Sequence, residues 1–218
     1  MDESQGRPAD RLLVVVGNGR MTADPDLARI SFTVGGERPA TLAAARTDTA
    51  ERMKRCIEAI TASGIASRDL STGHFTAGPE HEYRDGRQKL VGYAVRNTLN
   101  VTVRDLDATG EIIDRVMAAG ASSLEGPSFE LEHPDALRIA AHTAAARDAR
   151  ATADALAAAL GVTIAGIARI APRETPQPGP SPLFAMRAMA APEMGAGTSI
   201  ESGTIEVTAT VEVSFIIG

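Results

Sequence analysis

The last nineteen residues carry the clearest pattern in the chain. Ile205, Val207, Ala209, Val211, Val213, Phe215 and Ile217 alternate with Thr204, Glu206, Thr208, Thr210, Glu212 and Ser214. Period-two alternation of this length predicts a terminal β-strand with one face buried. Leu12 to Gly19 predicts a short first strand ending in Gly17-Asn-Gly19, a turn or bulge signal. After Asp24-Pro-Asp26, Ala28, Ile30, Phe32 and Val34 alternate with Arg29, Ser31 and Thr33, a second strand stopped by Gly35-Gly36. From Ala40 to Ser63 the period becomes helical, with Leu42, Ala45, Met53, Ile57 and Ile60 on one side and Gly64 as the stop.

A third strand is expected over Asp69 to Thr76, and Arg84-Asp-Gly-Arg87 reads as a hairpin turn. The return strand puts Val91, Tyr93, Val95, Leu99, Val101 and Val103 on one face. Asn97 interrupts that row and needs a hydrogen-bond partner if buried. Asp107 to Ala119 predicts a second helix before Gly120, and Ser128 to Glu132 a fifth strand. Pro134-Asp135 opens a third helix, with Pro at its first position and Asp complementing the dipole. That helix runs through Leu137, Ala140, Ala141, Ala144, Ala151, Leu156 and Leu160 to Gly161, and Thr163 to Ile170 is a sixth strand.

The expected fold class is α+β. Residues 27–132 read β-α-β-β-α-β, the ferredoxin-like split βαβ order. The first strand (12–22) and residues 133–218, with the long Ala-rich helix and the C-terminal strands, make a second α+β lobe. Because that lobe draws on both ends of the chain, residues 1–218 are expected to fold as a single unit.

Charge and composition narrow the function classes. A net charge of −6, with acids and bases interspersed, argues against nucleic acid as a partner, which needs a concentrated cationic face. There is no Trp, so aliphatic residues must build the core. Cys56 stands alone, which rules out an intramolecular disulfide, and its helical position reads as a buried, inert thiol. No run approaches transmembrane length. The first ten residues are polar and the apolar run from Leu12 to Val16 is too short for a signal-peptide core, so the expected location is the cytoplasm.

Catalytic motifs are missing: the chain has no G-x-S-x-G elbow, P-loop or zinc-protease helix, and Gly17-Asn-Gly19 runs toward Pro25 rather than into a phosphate-binding helix. His74, His81, His133 and His142 are scattered. Glu80-His-Glu82 lies on a strand, where successive side chains diverge, and reads as a solvated hairpin rather than a metal site. Glu130 and Glu132 share a strand face and could form an acid pair, though a solvated face is the commoner outcome. No catalytic, cofactor-binding or metal residue is assigned. Met186, Met189 and Met194, in the Pro-rich stretch from Pro178 to Gly197, are interaction candidates: thioethers that pack on a second subunit, with soft-metal capture or reversible oxidation as the sharper alternatives.

Several pieces, in order, resemble the SIMPL-domain family of bacterial proteins. They are Val15-Val-Gly-Asn-Gly19 with Pro25-Asp26, Ser63-Gly-Ile65 ahead of Asp69-Leu-Ser-Thr72, Gly92-Tyr-Ala-Val-Arg-Asn97, Ala153 to Gly161, and the Met/Pro stretch with the terminal strand. The resemblance implies a self-associating homo-oligomer of ring or channel type, a stress-related or scaffolding role, and frequent periplasmic or outer-membrane association. It supplies no catalytic residues or cofactors. The resulting expectation is a non-enzymatic, self-associating protein. The alternatives are a small-molecule or metal-binding module using a cleft between the lobes, and an unrecognised hydrolase.

Overall fold

The computed structural model describes residues 11–84, 86–173 and 200–218. Seven strands and three helices follow in the order β1 (Leu12–Ala23), β2 (Leu27–Gly35), α1 (Leu42–Ala62), β3 (Leu70–Arg84), β4 (Arg87–Val103), α2 (Thr109–Ala119), β5 (Ala121–Glu130), α3 (Asp135–Leu160), β6 (Ile164–Arg173) and β7 (Ile205–Ile217). The fold is α+β. It divides into two compact units, one holding residues 11–24, 132–173 and 203–218, the other residues 25–131 and 200–202.

The first unit is an antiparallel sheet in the order β1-β7-β6, with α3 packed on one face. The alternation of β7 is realised: Val207, Ala209, Val211, Val213 and Phe215 are buried, and Thr208 is exposed. Against them lies a row of α3 residues spaced by four, Ala141, Ala145, Ala149, Ala153 and Ala157, all buried. Gly17 and Gly19 do not form the expected turn, because β1 runs straight through them to Ala23. A β-carbon at Gly19 would sit 2.0 Å from the Ala141 carbonyl oxygen, so these glycines face the alanine row where no side chain fits. The Asn18 amide between them donates to Asp148 Oδ2 at 2.8 Å, tying strand to helix. Of the residues marking this helix in the sequence, Ala141 makes the contact and the two C-terminal leucines do not. Leu156 and Leu160 are 41% and 69% exposed, since close helix–strand approach selects small residues for the contact and leaves the large ones outside. Pro134 occupies the N-cap, one position before the expected first turn, and Gly161 closes the helix in the left-handed region at φ +70°.

The second unit is an antiparallel sheet in the order β3-β4-β2-β5, the arrangement of a split βαβ fold. The core is formed by Phe32 and Val34 of β2, Leu99 and Val101 of β4, Cys56 and Ile60 of α1, and Ile112 and Val116 of α2. The hydroxyl of Thr41 caps α1 by accepting from the Ala44 amide at 3.2 Å. Leu42, expected on the buried side, is exposed in the first turn.

Two strands differ from expectation. β3 continues to Arg84, and its pairing with β4 extends to Arg84 opposite Arg87. Its residues are mostly exposed on both faces, which removes the alternation that would have marked its length. Gly86 has φ +74°, as the expected turn requires, while Asp85 lies outside the described residues. β5 starts at Ala121 and ends at Glu130, earlier than the Ser128–Glu132 expectation. Gly126-Pro127 falls where its register with β2 shifts, and an edge strand tolerates the missing amide donor.

Candidate functional site

The helices of the second unit leave the inner face of β3 uncovered. β4 turns Val95, Asn97, Leu99 and Val101 toward them, and Phe75 on β3 is registered directly opposite Asn97. Leu99 and Val101 are sealed in the core, but Phe75 remains 57% exposed. Between this strip and α1 runs a groove of about 950 Å³. Its α1 wall presents Arg46, Ala50, Met53, Lys54 and Ile57, residues that recur at helical spacing along one side.

Three neutral polar side chains line the groove, and their states differ. Thr47 donates to the Ala43 carbonyl at 3.2 Å, as Thr commonly does within a helix. Thr49 is buried and donates to the Val95 carbonyl at 3.2 Å, joining α1 to β4. Asn97 Oδ1 is buried with no hydrogen-bond partner. The rim carries Arg46, which has no ion-pair partner among the described residues, and the pair of Lys54 and Glu58 at 4.0 Å, whose charges offset each other, so Arg46 supplies its net positive charge. The arrangement is an apolar trough with an unmet acceptor buried beneath its floor and a net positive charge at its edge from Arg46. It holds no paired nucleophile and base.

A second hollow, of about 520 Å³, lies on the sheet face away from the helices. Several of its polar groups are engaged: Ser31 Oγ donates to Asn100 Oδ1 at 2.7 Å, and Arg29 and Asp69 pair with Glu130 at 2.8 Å and Arg104 at 3.1 Å, both outside its lining.

The residues singled out in the sequence are placed as follows. Met186, Met189 and Met194 lie outside the described residues. Glu80 pairs with Arg96 at 2.6 Å and Glu82 with Arg38 at 3.0 Å, so both carboxylates beside His81 are engaged by guanidinium groups. The Arg96 hydrogen bond and charge hold the Glu80 carboxyl below its ordinary value. Among the described residues no three His, Cys, Asp or Glu side chains come together as a metal site. Glu130 ends β5 and is paired with Arg29, while Glu132 lies beyond the strand, so the two do not form the considered strand-face pair. Cys56 is fully buried, its thiol donating to the Val116 carbonyl at 3.8 Å, and burial pushes its pKa up against the opposing pull of Arg55 and Arg52. Of the groove, Asn97 was signalled in the sequence as a polar break in an apolar row, and Met53, Ile57 and Val95 only as positions on apolar faces. Phe75, Arg46 and Lys54 carry no local mark of a shared site.

No helix among the described residues is long and apolar enough to cross a membrane. The chain is 28% identical over 205 residues to the uncharacterized protein YggE of Edwardsiella ictaluri, covering 93% of this chain and 85% of that protein. It is 31% identical over 186 residues to the 26 kDa periplasmic immunogenic protein of Brucella melitensis, covering 83% of this chain and 74% of the relative. The YggE protein of Escherichia coli K12 is 30% identical over 146 residues, or 66% of this chain and 58% of that one. The model of the SIMPL family, a protein of unknown function (DUF541), matches residues 13–215. With nearly its whole length matched, the chain belongs to the SIMPL family.

Proposed function

We propose that the protein is a non-enzymatic, self-associating SIMPL protein with a scaffolding role, and that the first unit carries the association. The supporting observation is β1. Among the described residues it lies at the edge of its sheet, paired with β7 alone, and its outward face presents Leu12, Val14 and Val16 at 42%, 53% and 44% exposure. An unpaired edge with an aliphatic face is a template for a second strand, and proteins that remain monomeric blunt such edges with charge or proline. Leu12 to Val16 contains neither. A second copy of the chain supplies a matching edge. A stress-related role rests on the family resemblance alone.

The test is molar mass by light scattering on the wild type and on Val14→Glu/Val16→Glu. The expected result is an oligomer for the wild type and a smaller species with unchanged circular dichroism for the variant. A monomeric wild type overturns the proposal. The setting is a separate question with its own test. The polar first residues were read as cytoplasmic, whereas the Brucella relatives carry a periplasmic name. Fractionation of the native protein against markers of both compartments decides between the two.

A further inference from the structure

We propose that the groove between α1 and β3 binds a small amphipathic acid: a ligand with an apolar body, a carboxylate and one hydrogen-bond donor. An N-acylated hydrophobic amino acid is the simplest such compound. The volume of about 950 Å³ falls within the range of small-molecule sites, which are apolar troughs with a few placed polar groups. Phe75 and Ile57 supply the apolar contact over the nearly buried Met53 and Val95, and the exposed Phe75 ring gains most from being covered.

The polar requirement is set by Asn97. A buried acceptor without a partner is a cost the folded protein carries until a donor arrives. Thr47 and Thr49, the neutral hydrogen-bonding groups beside it, are already committed to backbone carbonyls. Neither threonine supplies the missing donor, and an amide N–H of a ligand in the groove would supply it once the Asn97 side chain turns toward it. The charge requirement is set by the rim. Arg46 has no ion-pair partner among the described residues, while the Lys54 charge is offset by Glu58, also in the lining, at 4.0 Å. In a chain of net charge −6, a guanidinium with no ion-pair partner among the described residues, set beside an apolar trough, matches a carboxylate better than it matches any other common headgroup.

The experiment is calorimetric titration of the intact protein with N-octanoyl-leucine, with its neutral C-terminal amide, and with the ester analogue in which oxygen replaces the N–H. The acid is expected to bind, and the neutral amide to bind about tenfold or more weakly, the worth of one charge-assisted hydrogen bond. Arg46→Gln, at an exposed position that does not disturb the core, should remove that preference. The ester should bind about fivefold or more weakly than the acid to the wild type, and equally to Asn97→Leu. Asn97→Leu, which deletes the unmet acceptor, should melt no lower than the wild type in the absence of ligand. Failure of N-octanoyl-leucine to bind overturns the proposal. So does an acid preference that survives Arg46→Gln, an amide-over-ester preference that survives Asn97→Leu, or a lower melting temperature for Asn97→Leu, which would show that the amide is already satisfied by the protein.

Discussion

A β-carbon on Gly17 would lie 2.1 Å from the carbonyl oxygen of Ala145. That clash is with helix backbone, which no rotamer change relieves, so α3 lies against β1 only because the strand has no side chain there. Gly17→Ala should cost about 3 kcal/mol or more, at the upper end of what overpacking a core costs. Gly166→Ala is the control. It sits in β6 of the same unit, at an ordinary φ, and its added methyl would meet nothing within 4 Å. Chemical denaturation of both variants is the measurement. Equal stabilities would remove the close-approach account of the alanine row.

Gly86 presents a different constraint. Nothing lies within 4 Å of its notional β-carbon, so space does not demand glycine, but its φ of +74° does. Gly86→Val should therefore destabilise the protein by about 1–3 kcal/mol, while Gly86→Asn, a residue enriched in the left-handed region, should cost less. Equal losses for Val and Asn would point away from backbone strain.

Cys56 is fully enclosed between α1 and α2, and burial raises its pKa, so the thiolate is suppressed twice over. A thiol reagent should leave the native protein unmodified and react once denaturant unfolds it. The rate should follow the opening equilibrium rather than the reagent's intrinsic reactivity. Rapid modification of the native protein would contradict the packing of these helices.

Glu80 has a folded-state pKa held below its unfolded value by Arg96. A depressed carboxyl pKa stabilises the folded state above the unfolded value, and that contribution disappears as pH falls through the folded one. Glu80→Gln should therefore melt slightly lower than the wild type near neutrality, and the two melting curves should converge in acid below the ordinary glutamate range. The difference should be small, because the pair is partly exposed and screened. A gap that widens as pH falls would have the wrong sign.

How far the fold could be read from the residues depended on whether each signal was local. β7 was legible because burial on one face writes a period of two directly into the sequence. Gly17-Asn-Gly19 was misread because glycine has two uses, conformational freedom and small size. Choosing between them required the partner helix, whose Ala141-to-Ala157 row only makes sense once it lies against the strand. The alanine richness of α3 pointed to close approach of another element, but not to which alanines make it; Leu156 and Leu160 stay outside because the contact admits nothing larger than a methyl group. Asn97 was visible as an interruption. Its groove was not, because the exposure of Phe75 depends on how far two helices extend sideways across a four-stranded sheet, and no residue near Phe75 encodes that.

The terminal strand offers the sharpest test of the first unit. Val211 is 3% exposed, pairs with Gly17 in β1 and lies in the cluster formed with the alanine row of α3. Burying such a side chain is worth about 1.5–3 kcal/mol, and replacing it with an unpaired carboxylate adds a desolvation cost of several kcal/mol more. Marginal stability of about 5–15 kcal/mol leaves little room for both losses. Val211→Asp should therefore abolish soluble folding, whereas Thr208→Asp, three residues away on the exposed face of the same strand, should leave it intact. The two variants carry the same new charge on the same strand, so a difference between them isolates the face. Circular dichroism and solubility of the pair are the measurements. A folded Val211→Asp protein would mean that the inner face of β7 is not the core of this unit.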